Sequence, residues 1–139
     1  MYSLLAVLIL TGLFWAGGLG LVQAASPAVV RGQYLVEVIG ACGLCHTPRD
    51  SDGKEIPGQH LAGGVVANEA FGLVISRNLT PDKETGLGTW TDQDIIRAIR
   101  EGKRPDGRTL GPPMSYPVYR EISDQDAQAI AAYLRQLPP

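Results

Sequence analysis

The chain is short of almost everything from which a small protein builds its own centre. Aromatic residues make up 6% of its 139 positions, there are two cysteines and two histidines, and the only methionines are Met1 and Met114. Two cysteines three positions apart close only a tiny loop, so a disulfide framework is excluded. Twelve Lys and Arg against 14 Asp and Glu give a net charge of −2. With no basic excess to neutralise phosphates, nucleic-acid binding is set aside. The length holds about one domain. What is plentiful is glycine (17) and proline (10), many of them in the middle of the chain. Loop-formers in that number, with so little packing material, call for a bound group at the centre.

Charge is also missing from one end, since Met1 to Ala25 contains no Asp, Glu, Lys, Arg or His. Leu4 to Val22 is a 19-residue apolar run broken only by Thr11 and glycines, about long enough as a helix to cross a bilayer's hydrocarbon core. Ala24-Ala25 also suits a signal-peptide cleavage site, but no Lys or Arg precedes the run and it exceeds the usual apolar stretch of such signals. The expectation is a retained membrane anchor over 1–25, with a cleaved signal and a soluble periplasmic protein as the alternative. Either way residues 26–139 form the working domain on the extracytoplasmic side. The positive-inside rule has no charge before Arg31 to act on.

Within that domain the pattern predicts three main helices and no regular sheet. Ser26-Pro27 opens the first, from Ala28 to about Ala41, with Val29, Val30, Leu35, Val36, Val38 and Ile39 as its apolar face. From Thr47 to Thr89 there is no sustained 3.6-residue period, only short helical or extended pieces among prolines and glycines. A connector that long in a compact domain implies that it wraps something. Thr91 caps a second helix, about Asp92 to Glu101, with Trp90 and Ile95 as a hydrophobic staple and Gly102 at its end. Prolines 105, 112, 113 and 117 rule out regular helix across Lys103 to Tyr119. Ser123 caps the last helix, about Asp124 to Gln136, before Pro138-Pro139.

The first helix runs into Cys42-Gly43-Leu44-Cys45-His46, the C-x-x-C-H pattern of c-type haem attachment. Two thiols one turn apart can each bond a vinyl group of one porphyrin, and the adjacent histidine can ligate its iron. The same pattern also fits a thiol–disulfide pair, or half a zinc site completed by His60. A redox pair of that kind expects a βαβ context, and zinc would have to use the adjacent Cys45 and His46. Met114, the one thioether in the domain, sits in a proline-stiffened loop suited to presenting sulfur to iron. His60 is its rival, with a solvated loop position as its plainer reading.

Arg31-Gly32-Gln33-Tyr34-Leu35, the motif continued as Thr47-Pro48-Arg49, Asn78-Leu79-Thr80-Pro81-Asp82 and Gly86-Leu87-Gly88-Thr89-Trp90-Thr91 occur in an order that resembles bacterial class I cytochromes c. Asp106-Gly107-Arg108-Thr109-Leu110, Pro112-Pro113-Met114 and Ala131-Ala132-Tyr133-Leu134-Arg135 extend the likeness to the C-terminus. It is closest to the mono- and dihaem type also found in subunits of membrane dehydrogenases. The resemblance implies an all-α class I cytochrome c fold whose long loops wrap one covalent haem c. It makes Cys42 and Cys45 the thioether positions and His46 and Met114 the axial ligands. Gly32 or Tyr34 would meet Tyr133 where the end helices cross, the carbonyl of Pro57 would accept from the ring of His46, and Arg77, Asn78 and Trp90 would reach the propionates. Ser115 departs from the Met-Pro usual at this ligand. The implied function is single-electron transfer with a membrane redox complex, without catalysis by the chain itself. The alternatives are an open-site haem sensor or enzyme, and the electron-transfer subunit of a dehydrogenase complex.

Overall fold

The computed structural model describes residues 24–70 and 72–139. Helix α1 (Pro27–Tyr34) starts where the Ser26 hydroxyl accepts from the Val29 amide and Pro27 fills the first turn, where a missing N–H costs nothing. Its last turn then widens into a π-helical turn (Leu35–Ile39), with the Gly40 amide donating to the Leu35 carbonyl at 2.7 Å. One extra residue per turn rotates the rest of the segment. Val36 stays in the core, whereas Val38 and Ile39, expected on the buried face, are each 62% exposed. The single helix expected over Ala28 to Ala41 is thus two pieces, because periodicity cannot register an inserted residue.

A short helix α2 (Gly43–His46) carries most of the cysteine motif. In the long connector, strands β1 (Val66–Glu69) and β2 (Gly72–Ile75) pair antiparallel with Val66 opposite Ile75 and Glu69 opposite Gly72. This hairpin corrects the all-α expectation. Val65, Val66, Val74 and Ile75 are β-branched and pair locally, without an alternating pattern long enough to announce a strand.

Helix α3 (Asp92–Glu101) has the bounds expected of it. Thr91 and Asp94 form a reciprocal capping box, and Gly102 ends the helix at φ 68°, a left-handed conformation that glycine adopts without strain. A 3₁₀ turn (Tyr116–Tyr119) comes after the proline-rich loop, and α4 (Asp124–Leu134) begins where the Ser123 hydroxyl accepts from the Asp126 amide. Among the described residues no helix is long and apolar enough to cross a membrane, and the apolar run Leu4 to Val22 lies outside them.

Helices α1 and α4 cross at Gly32. A Cβ there would stand 1.9 Å from the Ala129 carbonyl oxygen and 2.8 Å from Cβ of Tyr133, so the two backbones touch through the glycine. Gly32 and Tyr133 therefore form the crossing. Tyr34 does not: it is 47% exposed, with the Arg31 guanidinium 5.8 Å from its ring centre. Arg31 also makes a two-pronged ion pair with Asp126 at 2.8 and 3.2 Å. Around the crossing, Val36, Leu61, Leu87, Ile95, Ile96, Ala127, Ala131, Leu134 and Leu137 are buried together. Arg135 fastens the α3 entry to α4, pairing with Asp92 at 3.0 Å and donating to the carbonyls of Leu87 and Trp90.

A polar chain runs from the crossing to the connector. The Tyr133 hydroxyl donates to Glu37 Oε1 at 2.6 Å, and His60 Nε2 meets the same oxygen at 2.9 Å. His60 Nδ1 meets Glu55 Oε2 at 3.2 Å, while Arg49 pairs with Glu55 Oε1 at 3.1 Å. A histidine with a carboxylate on each ring nitrogen is fully paired only as the imidazolium. Burial pulls the His60 pKa down, but the bonds to Glu37 and Glu55 outweigh it and leave the value raised.

These contacts make two effects measurable. Gly32→Ala should lower unfolding stability by about 3 kcal/mol, the upper end of ordinary overpacking, because the obstacle is a backbone oxygen that cannot rotate away; urea titration measures it. Because the folded-state pKa of His60 lies above its ordinary value of 6.5, its contribution is complete below that pH and is lost as pH rises through the raised value. His60→Gln should therefore flatten the fall in melting temperature between weakly acidic and alkaline buffer, and an unchanged slope would contradict this account.

Candidate haem-binding site

The site is built where the π-helical turn ends. Ala41 takes φ 45°, a left-handed conformation uncommon for a residue with a side chain. The Cys42 amide reaches back to the Val36 carbonyl at 3.0 Å, and the chain turns directly into α2. This sets Cys42 and Cys45 one helical turn apart, with Leu44 between them 71% exposed. Both thiols are free, Cys42 half-buried and Cys45 exposed. Burial, then the charge of Glu37, pushes the Cys42 thiol up to about 11. A thiol so strongly protonated at neutral pH is the opposite of the depressed thiolate that a thiol–disulfide exchange pair needs.

His46 closes the motif, and its ring is oriented from outside. Its Nδ1 lies 2.7 Å from the carbonyl of Arg77. A carbonyl only accepts, so Nδ1 carries the proton and the lone pair is on Nε2. The acceptor is Arg77 and not Pro57, whose carbonyl does not receive this bond. Burial lowers the His46 pKa and the Arg77 bond partly restores it, which favours the neutral ring that a metal needs.

The Arg77 carbonyl is placed by tight backbone packing. The Gly63 amide donates to the His46 carbonyl at 2.7 Å, and a Cβ on Gly63 would stand 2.5 Å from the Arg77 carbonyl carbon. Leu61, fully buried at φ 56°, takes a hydrogen bond from the Leu79 amide and gives its own amide to the buried Thr47 hydroxyl at 2.9 Å. The connector is thus stitched to the end of α2, at His46 and at Thr47 directly after it. A cleft of about 320 Å³ opens here, lined by Leu44, Thr47, Pro48, Arg49, Gly64, Val65 and Val66. A smaller one of about 160 Å³, lined by Glu37, Ala41, Gly43, Leu44, Arg49 and Glu55, shares Leu44 and Arg49 with it.

The remaining expected residues separate. Asn78 serves its own loop, donating to the Thr85 hydroxyl and accepting from the Thr80 amide, and half-buried Trp90 packs against the core. His60, the rival ligand, has both nitrogens on carboxylates. Among the described residues no group of three or more His, Cys, Asp or Glu could hold a metal ion, so the zinc reading has no ligand set. Met114 is half-buried in the loop before the 3₁₀ turn, its amide donating to the Gly111 carbonyl at 3.2 Å. Tyr119 joins that segment to the motif: its hydroxyl donates to the Gly40 carbonyl at 3.4 Å. The Arg77 carbonyl, the Glu37–His60–Glu55 chain and Tyr119 are not readable from sequence, because their decisive contacts join residues far apart in the chain or use the backbone.

Two thiols one turn apart, a histidine of fixed tautomer and an exposed leucine between the thiols fit covalent haem. The family model of cytochrome c matches residues 29–138. The chain is 40% identical over 111 residues to the gluconate 2-dehydrogenase cytochrome c subunit of Pantoea cypripedii, covering 80% of this chain and 23% of that one. It is 37% identical over 112 residues to the fructose dehydrogenase cytochrome subunit of Gluconobacter japonicus, covering 81% and 22%. A diheme cytochrome c-type protein of Cereibacter sphaeroides is 38% identical over 115 residues, with coverage of 81% and 36%. The chain thus spans less than a quarter of the first two relatives. Its own match extends across nearly the whole described domain, and the chain belongs to the cytochrome c family.

Proposed function

We propose that the chain is a monohaem electron-transfer protein working on the extracytoplasmic side of a membrane, with a membrane dehydrogenase complex as its redox partner. The observation that carries the reading is the 2.7 Å bond from His46 to the Arg77 carbonyl, which leaves Nε2 as the donor atom directly after the two thiols. Cys42 and Cys45 would hold haem c through thioethers, and His46 and Met114 would ligate its iron. A single C-x-x-C-H in 139 residues supports one haem. When bound, haem c supplies an iron that alternates between two oxidation states.

The chain's own residues set the terms of that exchange. Arg77 holds the His46 ring in one tautomer and orientation, strengthening it as a ligand. Met114, a softer donor than a second histidine, raises the reduction potential. With His46 and Met114 both ligating, no iron position would be left open to a substrate, which supports transfer rather than catalysis. The partner class is supported by the relatives named as dehydrogenase cytochrome subunits. Leu4 to Val22 acts as a retained anchor, which confines the domain to the membrane surface and raises its effective concentration near partners there.

Denaturing electrophoresis should show haem staining on this polypeptide, abolished when Cys42 and Cys45 are both replaced by Ala; covalent haem in that double variant would refute the attachment. Met114→Ala should remove the weak sulfur-to-iron absorption band of the oxidised protein and lower its potential, and an unchanged spectrum would assign the position to another group. For the anchor, high salt should leave the protein on membranes and detergent should release it. A mature N-terminus at Ala25 or Ser26, read from the intact mass, would identify a cleaved signal instead.

A further inference from the structure

The loop carrying Met114 has its ends fixed first. The Leu110 amide donates to the Gly102 carbonyl at 2.7 Å, and Arg100 holds the Ile122 carbonyl while pairing with Asp124. Several bonds between these points are local, such as Ser115 Oγ to the Pro113 carbonyl and the Val118 amide to the Ser115 carbonyl. Two tyrosines of the 3₁₀ turn supply holds on the rest of the molecule, and they point to different helices. A Cβ on Gly102 would stand 2.7–2.8 Å from three ring atoms of Tyr116, so that ring packs directly on the bare glycine ending α3. The Tyr119 hydroxyl reaches the carbonyl of Gly40, at the end of the π-helical turn and two residues before Cys42.

That carbonyl is one of the acceptors a helix leaves unpaired at its C-terminus, so a side-chain donor there satisfies a group that no backbone amide serves. Gly40 is also close-packed, since a Cβ on it would stand 3.2 Å from the Cys42 sulfur and 3.7 Å from the Tyr119 oxygen. The tyrosine hydroxyl and the haem-bearing cysteine therefore share one small neighbourhood. From this geometry we infer that Tyr119 is a positioning residue that clamps the Met114 loop against the cysteine motif. The inference rests on Met114 being the second axial ligand. A thioether binds ferric iron weakly, so the time it spends bound depends on how little freedom its loop has. Removing one hold on the loop raises the fraction of molecules in which Met114 has let go. An added ligand that competes for the vacated position reads that fraction directly.

The test is imidazole titration of the oxidised, haem-loaded full chain, monitored by the loss of the sulfur-to-iron band. Tyr119→Phe removes one oxygen and keeps the ring, and should tighten apparent imidazole binding about fivefold, as expected for one net hydrogen bond. Tyr133→Phe removes the shorter 2.6 Å bond to Glu37 at the helix crossing. It should lower the melting temperature and leave imidazole affinity within about twofold of the parent. Equal tightening in both variants would show general loosening and overturn the clamp, as would no change in Tyr119→Phe. Met114→Ala separates the clamp from the ligand assignment beneath it. If it tightens imidazole binding and Tyr119→Phe does not, only the clamp falls; if Met114→Ala itself changes nothing, the ligand assignment falls and the clamp with it.

Discussion

Everything in the described domain is referred to the place where α1 and α4 touch through Gly32. A side chain at that position would meet the Ala129 carbonyl at 1.9 Å, so the helices approach as closely as backbones permit. Fixing them there aligns Glu37 with Tyr133 and sets the direction in which α1 delivers the cysteine motif. The buried residues around the crossing include Ala127, Ala129 and Ala131, and so much alanine gives close approach but little apolar area. Ion pairs at the edge, Arg31 with Asp126 and Arg135 with Asp92, then fix the angle more than the energy, because exposed pairs contribute little each.

From that crossing the π-helical turn does the aiming. A regular helix would have carried Val36 and Ile39, three positions apart, on one face. The extra residue keeps Val36 buried, leaves Ile39 exposed and turns the chain, through Ala41 in its left-handed conformation, so that Cys45 is exposed while Cys42 stays half-buried against the core. Widened turns of this kind are often found at functional sites, where a local departure from the ladder re-aims the next side chains along the helix. The cost falls on one residue with a strained backbone rather than on the helix as a whole.

Legibility divides along the range of the interactions. The capping box at Thr91 and Asp94, the glycine ending α3 and the Ser123 cap are contacts within a few residues, and their chemistry stands in the sequence. The cysteine motif is equally local, as is the isolation of Met114 in a loop that proline keeps from being helical. Sequence pattern misses the hairpin because four-residue strands carry too little of it, and misses the π-helical turn because periodicity assumes a constant pitch. The family resemblance points to Pro57 as the acceptor of the His46 ring proton, but a backbone carbonyl has no sequence signature: any residue owns one, and only the fold selects Arg77. His60 reads as solvated for a similar reason, its two carboxylates lying 5 and 23 positions away.

The loops are held through their carbonyls. Long irregular segments have no ladder to satisfy their backbone, yet buried polar groups must find partners. Here the donors come from afar: His46 to Arg77, Tyr119 to Gly40, Arg100 to Ile122, and Arg135 to Leu87 and Trp90. Each side chain satisfies a backbone acceptor and at the same time fixes where a loop lies. For most of them the result is only a stable loop. For His46 the two roles merge, since the carbonyl that satisfies its Nδ1 also decides which nitrogen is free for chemistry. A single hydrogen bond thus ties the placement of the Gly63-to-Arg77 segment to the ligand, and a disturbance of that segment reaches the site without touching the cysteine motif.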